Sequence, residues 1–159
     1  MVDLRELSAS QLLALHADLG EELRTRELVR SANNPTGDLA EFLFCQAFGR
    51  AQEQNSARGF DATDAKGIRY QIKGRRLHSR NKSRQLSALR KLEVGEFDVL
   101  AAVLFEHDYT VCRAGLIPLA VVQERASFSA HTNSSIFLLR DEVWEVPGVR
   151  DVTVALQQA

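Results

Sequence analysis

Apolar and polar residues alternate through residues 59–76, and that period of two predicts a β-hairpin. Ala65-Lys66-Gly67 suits a three-residue loop, a type I turn closed by a glycine in the left-handed region. Asp64 and Ile68 then flank the loop, Asp61 falls opposite Gln71, and Gly59 falls opposite Lys73. One face of the hairpin collects Phe60, Ala62, Ile68, Tyr70 and Ile72, with Asp64 at the tip; the other collects Asp61, Thr63, Arg69, Gln71 and Lys73. A two-residue loop would set Asp61 against Tyr70 and scatter the polar groups. The plainer reading of this pattern is an amphipathic hairpin with one solvated face.

The remaining elements follow from the same kind of pattern. Apolar positions at Leu4, Leu7, Leu12, Leu15 and Leu19 predict a helix over 4–19, with Ser8 or Ser10 as its cap, and charged residues continue helical over 21–30. Asn33-Asn34-Pro35-Thr36-Gly37 breaks the chain, and a largely buried helix follows over 38–48, ending at Gly49. After the hairpin come a basic loop over 75–91 with a short helix at 85–91, a nearly all-apolar strand at 97–104, and a strand at 109–114 returning across Glu106-His107-Asp108. A helix over 117–125 opens at Pro118, and a short strand lies at 135–139. Beyond Asp141 the pattern is weak and Pro147-Gly148 interrupts it. The expected architecture is α/β (α+β): a mixed central sheet of about four strands flanked by helices. We divide it into N-terminal helices over 1–32, a core over 37–125 and an extension over 126–159, all in one domain.

Composition adds little until its distribution is considered. The 159 residues are 45% hydrophobic and 26% charged, as in a soluble globular protein, and the net charge is −1. Between Ala65 and Leu92, however, there is no Asp or Glu, while ten of the 20 Lys and Arg residues fall there. That local positive field suggests a polyanionic partner, with a solvated basic loop as the plainer reading. Cys45 and Cys112 stand far apart in apolar patterns and read as small buried side chains. The four histidines show no metal-ligand spacing. No signal-like run and no apolar stretch of ~20 residues is present, so a cytoplasmic setting without a membrane partner is expected.

Glu41 is the remaining candidate. It shares a side of its helix with Phe44, Cys45 and Phe48. A carboxylate among aromatics needs a partner or a route to water. The helix with Glu41, then Asp61, then Gln71-x-Lys73, then a hydrophobic strand and a helix, resembles the PD-(D/E)XK nuclease superfamily, the fold of many restriction endonucleases and Holliday-junction resolvases. The resemblance covers residues 37–125 and implies a restriction endonuclease-like core. In the family that core is a helix, a three-stranded antiparallel meander, a helix and a further strand. By this resemblance Asp61 matches the metal-binding aspartate, Gln71 stands at the position of the second acid, Lys73 matches the lysine, and Glu41 matches the helical glutamate of several branches. Phe60 replaces the proline before the aspartate, and Gln71 resembles the Mrr-type variant, with one negative charge fewer.

The resemblance implies a metal-dependent nuclease that hydrolyses phosphodiester bonds of nucleic acid, DNA first. Mg²⁺ or Mn²⁺ would be held by Asp61, Gln71 and Glu41, with Lys73 as the other catalytic group. Arg75, Arg76, Arg80, Lys82 and Arg84 would grip phosphates. His131 and Asn133, in a polar loop, are further nucleic-acid candidates, although an exposed loop histidine without a role is the commoner case. Cutting both strands of a duplex would call for a homodimer. Two other classes stay open: a catalytically inactive nucleic-acid-binding module on the same fold, and an interaction subunit whose basic loop meets a protein.

Overall fold

The structure, a computed structural model, describes residues 2–52 and 59–159. The N-terminal helix α1 (Ala9–Thr25) starts at Ser8, whose hydroxyl accepts from the Gln11 amide while the Gln11 side chain accepts from the Ser8 amide. This reciprocal cap sets the start of the helix. The two helices expected over 4–19 and 21–30 are one helix preceded by a short 3-10 turn at Leu4–Glu6. None of the α1 residues is buried, and Leu12, Leu13 and Leu19 are exposed.

Helix α2 (Thr36–Phe48) ends at Gly49, whose φ of +57° closes it in the left-handed region. It is followed by β1 (Ala51–Gln52), β2 (Ala62–Thr63) and β3 (Arg69–Arg76). Then come β4 (Val99–Phe105), β5 (Val111–Pro118), α3 (Leu119–Arg125), β6 (Ser127–Ser129) and β7 (Ser134–Ile136). The chain finishes with β8 (Arg150–Asp151) and α4 (Thr153–Gln157). A six-stranded mixed sheet runs in the order β1-β2-β3-β4-β5-β8, larger than the expected four strands because two-residue edge strands extend it on both sides. β6 and β7 form a separate hairpin.

The sheet is a mixed α/β arrangement with a core on each face. Alternation along β3 and β4 divides their side chains between the two. Tyr70, Ile72, Ala101, Val103 and Phe105 pack with Ala40 and Phe44 of α2. Leu100, Ala102 and Leu104 pack with Val121 and Val122 of α3 and with Leu86, Leu89, Phe137 and Trp144. β4 is therefore covered on both sides, which is why its sequence is a continuous apolar run. β3 and β4 are parallel, with Gln71 beside Leu100 and Lys73 beside Ala102. Parallel neighbours need a long crossover, and residues 77–98 supply it.

That crossover departs from expectation. No helix forms at 85–91. Instead the segment is extended against β7: Leu86 and Leu89 donate backbone hydrogen bonds to Phe137 and Ser135, each at 3.0 Å. The apolar spacing Leu86, Leu89, Leu92 fits one helical face, but those side chains are buried in the core under α3 and the Leu86 and Leu89 amides donate to another chain segment. Ile117 belongs to β5, so α3 begins two residues later than expected, directly after Pro118. Cys112 is exposed and Cys45 is half-buried, against the reading of two buried thiols.

Close approach decides one glycine. A Cβ on Gly74 of β3 would lie 2.8 Å from the Thr36 carbonyl oxygen and 3.0 Å from the Ala40 Cβ, so α2 can sit on the strand only if the side chain is missing. Gly37, in the first turn of the same helix, has nothing within 4 Å. Gly74→Val should therefore lower stability by about 1–3 kcal/mol through overpacking. Gly37→Ala should raise it by about 0.5–1 kcal/mol through helix propensity. Urea unfolding of the two variants checks both signs.

Candidate active site and basic trough

The β2–β3 turn closes as its sequence predicts. The Gly67 amide donates to the Asp64 carbonyl at 3.0 Å, Gly67 has φ +79°, and the Asp64 amide donates to the Ile68 carbonyl at 3.1 Å. The Asp64 carboxylate locks the turn by accepting from the Lys66 and Ile68 amides and from the Tyr70 hydroxyl. The register pairs Ala62 with Tyr70 and Thr63 with Arg69, which sets Asp61 opposite Gln71.

The ladder then stops. The Asp61 amide still donates to the Tyr70 carbonyl at 2.8 Å, but the Ile72 amide donates to the Asp61 carboxylate at 2.7 Å, where a continuing strand would offer a carbonyl. The Gln71 side-chain amide donates to the same carboxylate oxygen. Phe60 leaves the face it shares with Ala62 in the expected pattern and packs against the core under α3. Gly59, expected opposite Lys73, has φ +76° and lies against the Glu96 side chain. Asp61 thus sits in a notch where β2 peels away from β3. The Ile72 carbonyl leaves β3 on the same edge as its amide.

Gln71, Lys73 and Arg75 share the face of Leu100, Ala102 and Leu104, by the parallel register and strand alternation. The Lys73 side chain is half-exposed and makes no ion pair or hydrogen bond among the described residues. Glu41 comes from the other layer, since α2 covers the face of Ile72. Its side chain is 17% exposed and is paired with Arg30. Burial first, then the Glu41 carboxylate, and more weakly that of Asp61, push the Cys45 thiol up from its ordinary range, while Arg50 and Arg30 oppose them. Among the described residues no group of three or more His, Cys, Asp or Glu side chains could hold a metal. Asp61, Gln71, the Ile72 carbonyl and Glu41 offer oxygen alone, the donor chemistry that suits Mg²⁺ or Mn²⁺.

Arg50, two residues past the end of α2, is 9% exposed and stacks on the rings of Tyr70 (3.6 Å) and Phe48 (4.5 Å), with one guanidinium nitrogen lacking a hydrogen bond among the described residues. Burial lowers its pKa, against the opposing charges of Tyr70 and Asp64. The stacking offsets part of that desolvation.

Beyond Lys73 the same strand opens into a basic trough. Three adjoining clefts of about 870, 240 and 390 Å³ share residues: the first two share Arg76 and His78, and the last two share Arg75 and Asn81. Arg80, Lys82 and Arg84 line the largest, together with His107 and the lone acid Glu106. Several of these cations also have structural work. The Arg75 Nε donates to the Ser83 carbonyl at 3.0 Å, Arg76 lies 4.7 Å over the Tyr109 ring, and Arg84 pairs with Asp141 at 2.5 Å. Arg69, counted in the basic run, is held by Asp98 through its backbone amide and guanidinium. Arg80 and Lys82 are exposed.

His131 and Asn133 are exposed in the loop between β6 and β7 and do not line these clefts. Their neighbours Thr132 and Ser134 line the third cleft instead. His78, Asn81, His107 and Asn34 of the trough were not singled out by sequence reasoning; the first two lie inside the acid-free run, a signal that could have included them. No family model matches the chain, and no curated protein matches it significantly. Among the described residues, no helix is long and apolar enough to cross a membrane.

The turn carries a pH signature. Burial raises the Asp64 carboxyl, but the Ile68 and Lys66 amides and the Tyr70 hydroxyl outweigh it and hold the group below its ordinary 3.8. A depressed acid stabilises the fold fully above its unfolded value and loses that contribution as the pH falls through its folded value. Thermal unfolding from pH 6 down to about pH 2 should therefore show a steeper loss of Tm below about pH 4 for the wild type than for Asp64→Asn.

Proposed function

We propose that the chain is a metal-dependent nuclease acting on nucleic acid, DNA first, with Asp61, Gln71 and Lys73 at its centre. The reading is supported above all by the notch at Asp61. A carboxylate, a side-chain amide and a backbone edge converge there, one strand step from a half-exposed lysine without a described partner. The trough supplies the second support, because Arg75 stands one same-face step beyond Lys73, about 7 Å along the strand. It also lines the clefts that continue toward Arg80 and Lys82.

In this reading Asp61, Glu41, the Ile72 carbonyl and the Gln71 side-chain oxygen hold Mg²⁺ or Mn²⁺, after the Gln71 amide has turned its oxygen toward the notch. The bound cation supplies Lewis acidity and a water of lowered pKa. Lys73 orients the attacking water and stabilises negative charge developing on the phosphate. Arg80 and Lys82 bind backbone phosphates and so set the register of the strand without reading its sequence. Each chain carries one such site, so cleavage of both strands of a duplex takes two copies related by symmetry. The setting is cytoplasmic, with no membrane partner.

One observation favours a second reading, a nucleic-acid-binding module without chemistry. Gln71 turns its N–H, not its oxygen, toward Asp61, and among the described residues no group of three or more His, Cys, Asp or Glu side chains could hold a metal. The two readings part in a cleavage assay with labelled duplex and single-stranded DNA in Mg²⁺ or Mn²⁺. The nuclease reading expects cleavage that falls about 10²-fold or more in Lys73→Ala. Equal cleavage by both proteins, or none by the wild type, would sink it.

Binding is tested separately in EDTA. Arg80→Ala and Lys82→Ala should each weaken DNA binding and each reduce the slope of log affinity against log salt by about 1. An unchanged salt slope in the double variant would remove the trough from the nucleic-acid path.

A further inference from the structure

Two turns of this chain close in the same way with different residues at the left-handed position. In the β2–β3 turn that place is taken by Gly67, at φ +79°. In the β4–β5 turn the Glu106 amide donates to the Thr110 carbonyl at 2.9 Å and the Tyr109 amide donates to the Glu106 carbonyl at 3.1 Å. Tyr109 therefore stands where Gly67 stands, at φ +68°. Left-handed backbone suits glycine and strains a bulky side chain. Strained residues persist only where their surroundings hold them, and they gather at functional positions. Asp108 holds the backbone here, its carboxylate accepting from the Thr110 amide and hydroxyl. The Tyr109 ring lies 6.0 Å from the ring of the buried Phe105, and the Arg76 guanidinium carbon is 4.7 Å over it. Phe105 is also the register partner of Arg76 across the β3–β4 pair. The Arg76 guanidinium makes no ion pair or hydrogen bond among the described residues, and Arg76 lines both the first and the second cleft of the trough.

We propose that Tyr109 is a positioning residue for nucleic acid: its ring holds the Arg76 guanidinium at the junction of the first two clefts, as a third phosphate contact beside Arg80 and Lys82. The inference rests on the nucleic-acid reading given above and is independent of any metal. An aromatic face attracts a cation without neutralising it. Arg69 and Arg84 are instead matched by the carboxylates of Asp98 and Asp141, which cancel much of their charge. An arginine held by a ring keeps its full charge and its N–H donors for a phosphate. Glycine at position 109 would relax the turn but leave the Arg76 side chain free in solvent, and ordering it would then oppose binding. The strained tyrosine orders the guanidinium before the nucleic acid arrives.

The test is binding of a labelled duplex DNA to the full chain in EDTA, with thermal unfolding as a check of the fold. Tyr109→Asn suits the left-handed backbone and removes the ring, and it should weaken binding about fivefold, as for loss of an exposed cation–π contact. Tyr109→Phe keeps the ring and should bind within about twofold of the wild type. Arg76→Ala should weaken binding at least as far as Tyr109→Asn and reduce the slope of log affinity against log salt by about 1. In the Arg76→Ala background, Tyr109→Asn should change binding by less than about twofold, because its partner is gone. Tyr109→Leu, which keeps apolar cover on Phe105 without a ring face, takes the place of the asparagine variant should that one fail to fold. Suppose the wild type binds DNA, yet Tyr109→Asn binds as tightly, or Tyr109→Phe weakens binding as much, or the loss is equal with and without Arg76. Any of these overturns the positioning role and leaves the trough standing. If the wild type shows no salt-dependent binding, the nucleic-acid reading falls and takes this inference with it.

Discussion

The parallel pairing of β3 with β4 is the constraint on which the rest of the molecule depends. It runs over seven consecutive residue pairs from Tyr70–Val99 to Arg76–Phe105 and joins the two cores through one apolar strand. A parallel pair cannot be closed by a tight turn, so the chain must travel from one end of β3 back to the start of β4. Residues 77–98 make that journey, and they carry half of the basic run. The cations therefore gather at the C-terminal end of β3, beside Lys73 and Arg75, as a consequence of how the sheet is built. The absence of a helix in the crossover matters here too. An extended path stitched to β7 leaves open ground between the strand end and the β6–β7 hairpin, and that ground is the trough.

A second consequence concerns the notch. β3 has β4 on one side for its whole length, but β2 pairs with it only near the turn. Where β2 departs, the Ile72 amide would be left without a ladder partner, and Asp61 supplies its carboxylate instead. A charged acceptor for a backbone N–H is a strong interaction, so the residue that terminates the hairpin is also the one with a carboxylate at the edge of the sheet. Gln71 and Lys73 lie on the face covered by α3, whereas Glu41 comes from the helix on the other face.

The charge pattern illustrates how far position matters. Ten basic residues without an intervening acid read as one positive surface. In the folded chain Arg69 is bound to Asp98, Arg84 to Asp141 and Lys91 to Glu96, while Arg76 rests on Tyr109. All three acids lie outside the run in sequence and meet it only through the fold. Arg80 and Lys82 are left exposed in the trough, with no ion pair among the described residues.

The hairpin turn, its register and the pairing of Asp61 with Gln71 were legible because they are local. A period of two and a glycine at the left-handed position need no information from the rest of the chain. The long strand β4 was legible for a related reason, since only burial on both faces tolerates such an apolar run. Helix α2 and its end at Gly49 were likewise written in neighbouring residues. The extended path of 85–91, the exit of Phe60 to the opposite core, the ion pairs of the basic run and the Arg30–Glu41 contact were not. Leucines spaced three apart fit a helix as well as an extended segment, and the choice between them is made by the strand that meets their backbone. Local spacing determines which way a side chain leaves its own strand or helix; what it then meets depends on contacts between residues far apart in the chain, and those only the tertiary structure decides.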